Sequence, residues 1–122
     1  MTVFTKEVTT PTRPRRIHGL PLIELTGDVD GFTAPALQSQ LLRLVETGDA
    51  DLLISLSSVG FIDSLGIGML VAVHGRAAEQ GGSLRVLCDN RSIYRALEVA
   101  GLTRAFPVYR DETALSTSLD AK

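Results

Sequence analysis

The chain has 122 residues, of which 44% are apolar, 21% charged and 5% aromatic, with a formal net charge of −2. That is one domain's worth of chain, too apolar for a disordered polymer and sized for a single core. Gly 11 and Pro 5 exclude collagen-like and low-complexity readings, and the acidic balance argues against a dedicated nucleic-acid binder.

Residues 1 to about 12 are Thr-rich and end in Thr10-Pro11-Thr12, which reads as a flexible arm or an edge strand. Residues 1–20 carry Lys6, Arg13, Arg15 and Arg16 against Glu7, a surplus of +3 that leaves −5 on the remainder. The basic stretch is either a solvated lead-in or a contact for an acidic partner. Arg15–His18 predicts a short strand, turned by Gly19-Leu20-Pro21 into a better one over Leu22–Thr26, so the two form a hairpin with His18 as a solvated turn residue. Gly27-Asp28-Val29-Asp30-Gly31 breaks that strand.

A helix is predicted over 33–47, with Thr33 as N-cap and Pro35 in the first turn. Leu37, Leu41, Leu44 and Val45 share one face, and Gly48 supplies the left-handed stop. Leu52–Leu56 is a continuous apolar run of strand length, as expected where both faces of a sheet are covered. Phe61–Ser64 follows after a short loop, then a helix over 65–80 closed by Gly81-Gly82. A strand over 84–88 leads to a helix over 92–100 capped by Asp89 or Asn90, with Ile93, Leu97 and Ala100 facing the core. Phe106–Tyr109 makes a last short strand, and Asp111 caps a terminal helix through Leu119. Alternating strands and helices predict one α/β domain: a mixed, mostly parallel sheet of four to five strands with an antiparallel edge hairpin and helices packed on it.

No apolar run approaches the roughly 20 residues that cross a bilayer; the longest, Leu65–Val73, contains Gly66 and Gly68. Membrane insertion is not expected. Neither is a secretory signal, since no apolar core follows the basic residues near the N-terminus. The single cysteine, Cys88, leaves no internal disulfide and no cysteine-rich metal site. In its strand-like run it reads as a small core hydrophobe with no basic neighbour to activate it. These features point to a cytoplasmic protein.

The segment that carries chemistry is Phe61-Ile62-Asp63-Ser64-Leu65-Gly66-Ile67-Gly68. It puts Ser64 at, or one residue from, the N-cap of a helix, where unpaired N–H groups and the helix dipole favour negative charge. A phosphate on Ser64 would add about −1.5 to −2 charge there, which the helix end is expected to tolerate and a docked partner is not. The alternative reading is an ordinary N-cap serine worth ~1 kcal/mol. At about 100° per residue, Ile67, Leu70, Val71, His74 and Ala78 share a face assigned to the core. Leu65, Met69, Ala72 and Arg76 share the opposite face, which is either an exposed docking surface or part of a helix buried all round. His74 reads as a core-edge histidine rather than a ligand.

Four segments in order resemble the anti-sigma factor antagonists, which are stand-alone STAS domains. Gly27–Ala34 is similar to their Gly-x-Leu-Asp-x-x-Thr-Ala. Leu52–Leu56 followed by Val59–Ser64 is similar to their strand and Asp-Ser switch. Gly81–Leu84 resembles their Gly-Gly strand entry, and Leu97–Leu102 their Leu-x-x-x-Gly-Leu helix end. The resemblance covers residues 15–119, so the STAS domain is placed at 13–119 behind the arm.

It implies a partner switch. The unphosphorylated protein binds an anti-sigma factor, which releases its sigma factor. The anti-sigma factor is also an ATP-dependent serine kinase that phosphorylates the antagonist and breaks the complex, and a PP2C-type phosphatase reverses the modification. By position Ser64 is the phosphoacceptor. Asp63 lies in the kinase contact region, Asp30 and Thr33 belong to a loop near the binding face, and Gly66 lets the partner's backbone come close. Leu65 and Met69 complete the expected partner-binding set. Leu65 departs from the family, which usually has Ser or Thr there, so it removes a hydroxyl and adds apolar surface. The second reading is a STAS subunit that docks constitutively, without phosphorylation, in a lipid-transport or stress-signalling assembly.

Catalysis fits poorly. Ser64 lies in no Gly-x-Ser-x-Gly elbow, and His74 is about 15 Å along the same helix. No catalytic residue, cofactor or metal is expected, and no Walker-type loop supports a nucleotide site.

Overall fold

Apolar residues recur on both faces of the central strands, so the sheet needs cover on both sides. A computed structural model of the chain describes residues 16–120. The expected arm over 1–12 and Arg13 and Arg15 lie outside them. The elements are β1 (Arg16–Ile17), β2 (Leu20–Val29), α1 (Ala34–Glu46), β3 (Asp51–Ile62), α2 (Ser64–Glu79), β4 (Ser83–Leu87), α3 (Arg91–Val99), α4 (Leu102–Ala105), β5 (Val108–Tyr109) and α5 (Glu112–Asp120). Sheet order is β1-β2-β3-β4-β5. The β1–β2 pair is antiparallel and the other three pairs are parallel. This is the mixed, mostly parallel five-stranded α/β domain expected.

One face of the sheet carries the larger core. There Ile23, Leu25, Leu52, Ile54 and Leu56 join Leu37 and Leu41 of α1 and Met69, Leu70 and Val73 of α2. On the other face Leu22, Leu53 and Leu87 pack with Leu115 of α5. The run Leu52-Leu53-Ile54 is apolar throughout because alternate residues enter different cores.

The β1–β2 turn is His18-Gly19, one step earlier than expected. Both residues have positive φ, 53° and 82°, which suits the two-residue hairpin left between Ile17 and Leu20. His18 also bonds through Nε2 to Ser116 Oγ at 3.0 Å.

β2 and β3 run further than their local signals indicate. β2 does not end at Gly27, and β3 absorbs the loop expected after Leu56. Register shifts between Glu24 and Thr26 and between Gly27 and Asp28 carry the pairing on to Asp28↔Phe61 and Val29↔Ile62. Gly27, at φ 79°, serves a bulge rather than a strand end.

α2 is rotated relative to the stripe expected. It buries Gly66, Met69, Leu70, Val73 and Ala77. Val71 is 47% exposed, and Ala78 is exposed. The helix packs on the sheet and also against α1, so its buried arc is wide, and its apolar content leaves periodicity little to choose between. At its far end Arg76 donates to Glu46 of α1 from Nε at 2.5 Å and to Glu79 at 2.7 Å. The Arg76 hydrogen bonds hold the Glu46 carboxyl below its ordinary range.

Asn90 caps α3, its side chain accepting from Ser92 and Ile93 N–H. Ile93 and Leu97 are buried as expected, whereas Ala100 follows the helix as its exposed C-cap. Phe106 is not in the last strand. It closes the short α4 as a buried C-cap residue. Asp111 accepts from Ala114 N–H at 2.8 Å at the start of α5.

Candidate functional site

β2 and β3 are parallel, so their C-terminal ends emerge side by side. The Asp63 N–H donates to the Val29 carbonyl at 3.2 Å, which ties the two exits together. Each exit then makes a tight polar turn into a helix. In the first, Asp30 Oδ1 accepts from Phe32 N–H at 2.9 Å and Thr33 N–H at 3.2 Å. The Thr33 hydroxyl donates to the Asp28 carbonyl at 2.9 Å and accepts from Asp30 N–H at 3.0 Å. Thr33 precedes α1 as expected, yet its side chain caps no helical N–H. Asp30 Oδ1 and the Thr33 hydroxyl are engaged inside the loop. What the loop holds outward is Phe32, 94% exposed.

In the second exit the N-cap of α2 is Asp63. Its Oδ1 accepts from Leu65 N–H and Gly66 N–H, both at 3.0 Å. Ser64 is the first helical residue and not the cap. It is exposed, and its hydroxyl has no hydrogen-bond partner among the described residues. Beside it Leu65 is 61% exposed.

Expectation and structure differ most on the anion-binding role of this helix end. Two of its N–H groups are already occupied by the Asp63 carboxylate, so a phosphate on Ser64 would not inherit them. It would also add charge where Asp28, Asp30 and Asp63 stand and where segments 28–34 and 60–66 contain no lysine or arginine.

Two residues of the expected partner-binding set are internal. Met69 is 1% exposed within the main core, because α2 turns that side toward the sheet and α1, so it presents nothing to a partner. Gly66 is also buried. A Cβ there would meet the Val29 carbonyl oxygen and lie 2.8 Å from side-chain carbons of Ile62 and Val29. The close approach that Gly66 permits is that of α2 to its own β2–β3 exits.

Residues 12–115 match the family described as STAS domain. The chain belongs to the STAS domain family. Over 80 residues it is 35% identical to the anti-sigma-B factor antagonist of Bacillus subtilis strain 168, covering 66% of this chain and 72% of that protein. It is 25% identical over 104 residues to the anti-sigma F factor antagonist of Paenibacillus polymyxa, covering 84% and 89%. The crystal structure of an anti-sigma factor antagonist from Mycobacterium paratuberculosis superimposes with a TM-score of 0.74 at 28% identity, over 84% of this chain and 88% of that one.

Elsewhere in this STAS domain the chemistry-bearing side chains are dispersed. His18 sits in the β1–β2 turn, at the far end of β2 from Asp30. His74 is partly buried along α2, its ring centroid 5.3 Å from that of Phe106. Burial pushes the Cys88 thiol up, opposed by its hydrogen bond to the Asn90 carbonyl at 3.5 Å. Neither histidine stands by Ser64. Among the described residues no group of three His, Cys, Asp or Glu is placed to hold a metal ion, and no helix is long and apolar enough to cross a membrane.

Phe32 escaped sequence reasoning. Its only signal was its place between a glycine and a helix start, where a large apolar residue packs on nothing local. The Asp63 cap can be tested on stability alone. Asp63→Ala is expected to cost about 1–2 kcal/mol, and Asp63→Asn, which keeps an oxygen acceptor, a few tenths at most. Thermal unfolding of the two variants checks this.

Proposed function

We propose that this STAS domain is an anti-sigma factor antagonist switched at Ser64. The observation that carries the reading is an exposed serine hydroxyl without an internal partner, next to exposed Leu65 and on a ledge, fixed by Asp30, Thr33 and Asp63, whose other exit exposes Phe32. A structural cap would be hydrogen-bonded; this hydroxyl is presented outward instead. The names of the relatives support the antagonist part of this reading.

In the unphosphorylated state the ledge offers apolar surface and backbone held by internal hydrogen bonds, so docking on an anti-sigma factor requires little reordering. That partner, acting as a serine kinase with ATP, would transfer the γ-phosphoryl group to Ser64 Oγ. The phosphate would then sit beside Asp63, whose carboxylate already holds the nearest helical donors. Forcing a charge of about −1.5 to −2 against the partner's apolar surface would cost more in lost hydration than contacts return, and the complex would dissociate. A PP2C-type phosphatase would restore the binding form. Ser64 acts here as an acceptor in another protein's active site, and the nearest histidine on its own helix is about 15 Å away.

Intact-mass measurement after incubation with the anti-sigma factor kinase and ATP tests this. Wild type is expected to gain one phosphate and Ser64→Ala none. A phosphate appearing on both would move the acceptor elsewhere. A stable complex with no phosphate on wild type would favour constitutive docking, with Leu65 as the first residue to exchange.

A further inference from the structure

We infer that Leu65 and Phe32, set by Gly31, form an apolar key that selects an anti-sigma factor carrying an apolar cleft rimmed by basic residues. This rests on the antagonist reading above and specifies the partner's surface.

Leu65 and Phe32 come from different strand exits and are the most exposed large apolar side chains of the ledge, at 61% and 94%. The two exits are joined at this point. A Cβ on Gly31 would lie 2.8 Å from Leu65 Cδ1, so Leu65 reaches across the glycine next to Phe32. Gly31 has no positive φ among the described residues, so backbone conformation does not demand a glycine there. Its bare Cα makes the room that Leu65 occupies. Leu65 then forms one wall of an open groove of about 370 Å³ between α1 and α2, with Pro35, Gln38 and Leu42 on the other side. Leaving two such side chains in water has a cost that a partner's apolar surface removes.

Charge narrows the partner further. Asp30 lies two residues before Phe32 and Asp63 two residues before Leu65, and the two exit segments supply no cation. A complementary surface therefore presents lysine or arginine around an apolar cleft. A hydroxyl at position 65 would fill no such cleft.

The test is a binding titration against the anti-sigma factor kinase encoded in the same genome, by calorimetry, at low and high salt. Leu65→Ser and Phe32→Ser are each expected to weaken binding about ten- to a hundredfold, the worth of one buried apolar side chain. Leu65→Thr should do the same, and thermal unfolding confirms that each exposed-site variant folds. Gly31→Ala, which pushes the flexible Leu65 tip aside, should weaken binding in wild type and have no effect in Leu65→Ser. Binding by wild type should fall with salt. If wild type binds but Leu65→Ser and Phe32→Ser bind within about twofold of it, or if binding does not weaken with salt, the key is wrong and the antagonist reading stands. If wild type does not bind, the antagonist reading fails, and the key with it.

Discussion

Ser64→Glu is expected to lower affinity for the anti-sigma factor by about 2–5 kcal/mol, some 30- to several-thousand-fold. Ser64→Ala should stay close to wild type. Glutamate carries one full charge against the phosphate's roughly −1.5 to −2, so it should fall at the low end and the phosphorylated protein at the high end. The asymmetry follows from the geometry at α2. The Leu65 and Gly66 N–H groups are bonded to Asp63, and no cation belongs to either exit segment. Neither variant should change thermal stability by more than about 0.5 kcal/mol, because Ser64 is exposed and its hydroxyl makes no internal hydrogen bond. Calorimetric titration and thermal unfolding of the three proteins check both halves. A Ser64→Glu protein that binds as tightly as wild type would remove the switch.

The largest stability effect is expected at Gly66. Gly66→Ala drives a methyl group at the Val29 carbonyl and at Ile62 and Val29 side chains. The obstacle includes backbone that cannot rotate away, so the cost should reach the upper end of overpacking, about 3 kcal/mol, and lower Tm by about 10 °C. Gly68, two residues on, faces open space, and a Cβ there would meet nothing within 4 Å. Gly68→Ala should therefore stabilise α2 by about 0.5–1 kcal/mol, the ordinary gain from replacing a helical glycine. Thermal melts of the pair distinguish the two roles. If Gly66→Ala left stability intact and lost only partner binding, Gly66 would be a contact glycine after all.

Much of this protein is legible where the deciding interaction is local. Asp89-Asn90 and Asp111 announce the helices that follow them because a short polar side chain bonds N–H groups two or three residues ahead, as Asn90 and Asp111 do. The turn at Gly19 follows from its freedom at positive φ. The doubly covered sheet shows in Leu52–Leu56, and Ser64 is singled out by the Asp-Ser junction and three companion segments that resemble STAS domains.

The remainder was settled by contacts between residues far apart in the chain. β2 and β3 continue past Gly27 and Leu56 because each supplies the other's hydrogen bonds through two register shifts, and no local pattern records a partner strand. Helix α2 has apolar residues nearly all round, so only packing against both sheet and α1 decided that Met69 is buried and Val71 exposed. Which of two neighbouring residues, Asp63 or Ser64, caps that helix turned on where the β3 exit placed the chain. That choice frees the Ser64 hydroxyl and occupies the donors a phosphate would use. The meeting of Leu65 with Gly31 likewise exists only because two parallel strands end together. Sequence alone determined the fold class and put the serine at a strand-to-helix junction, since both follow from the order of apolar runs and the breaks between them. Tertiary structure decided which side chains the serine's surroundings expose, because exposure is what remains after distant segments have covered one another.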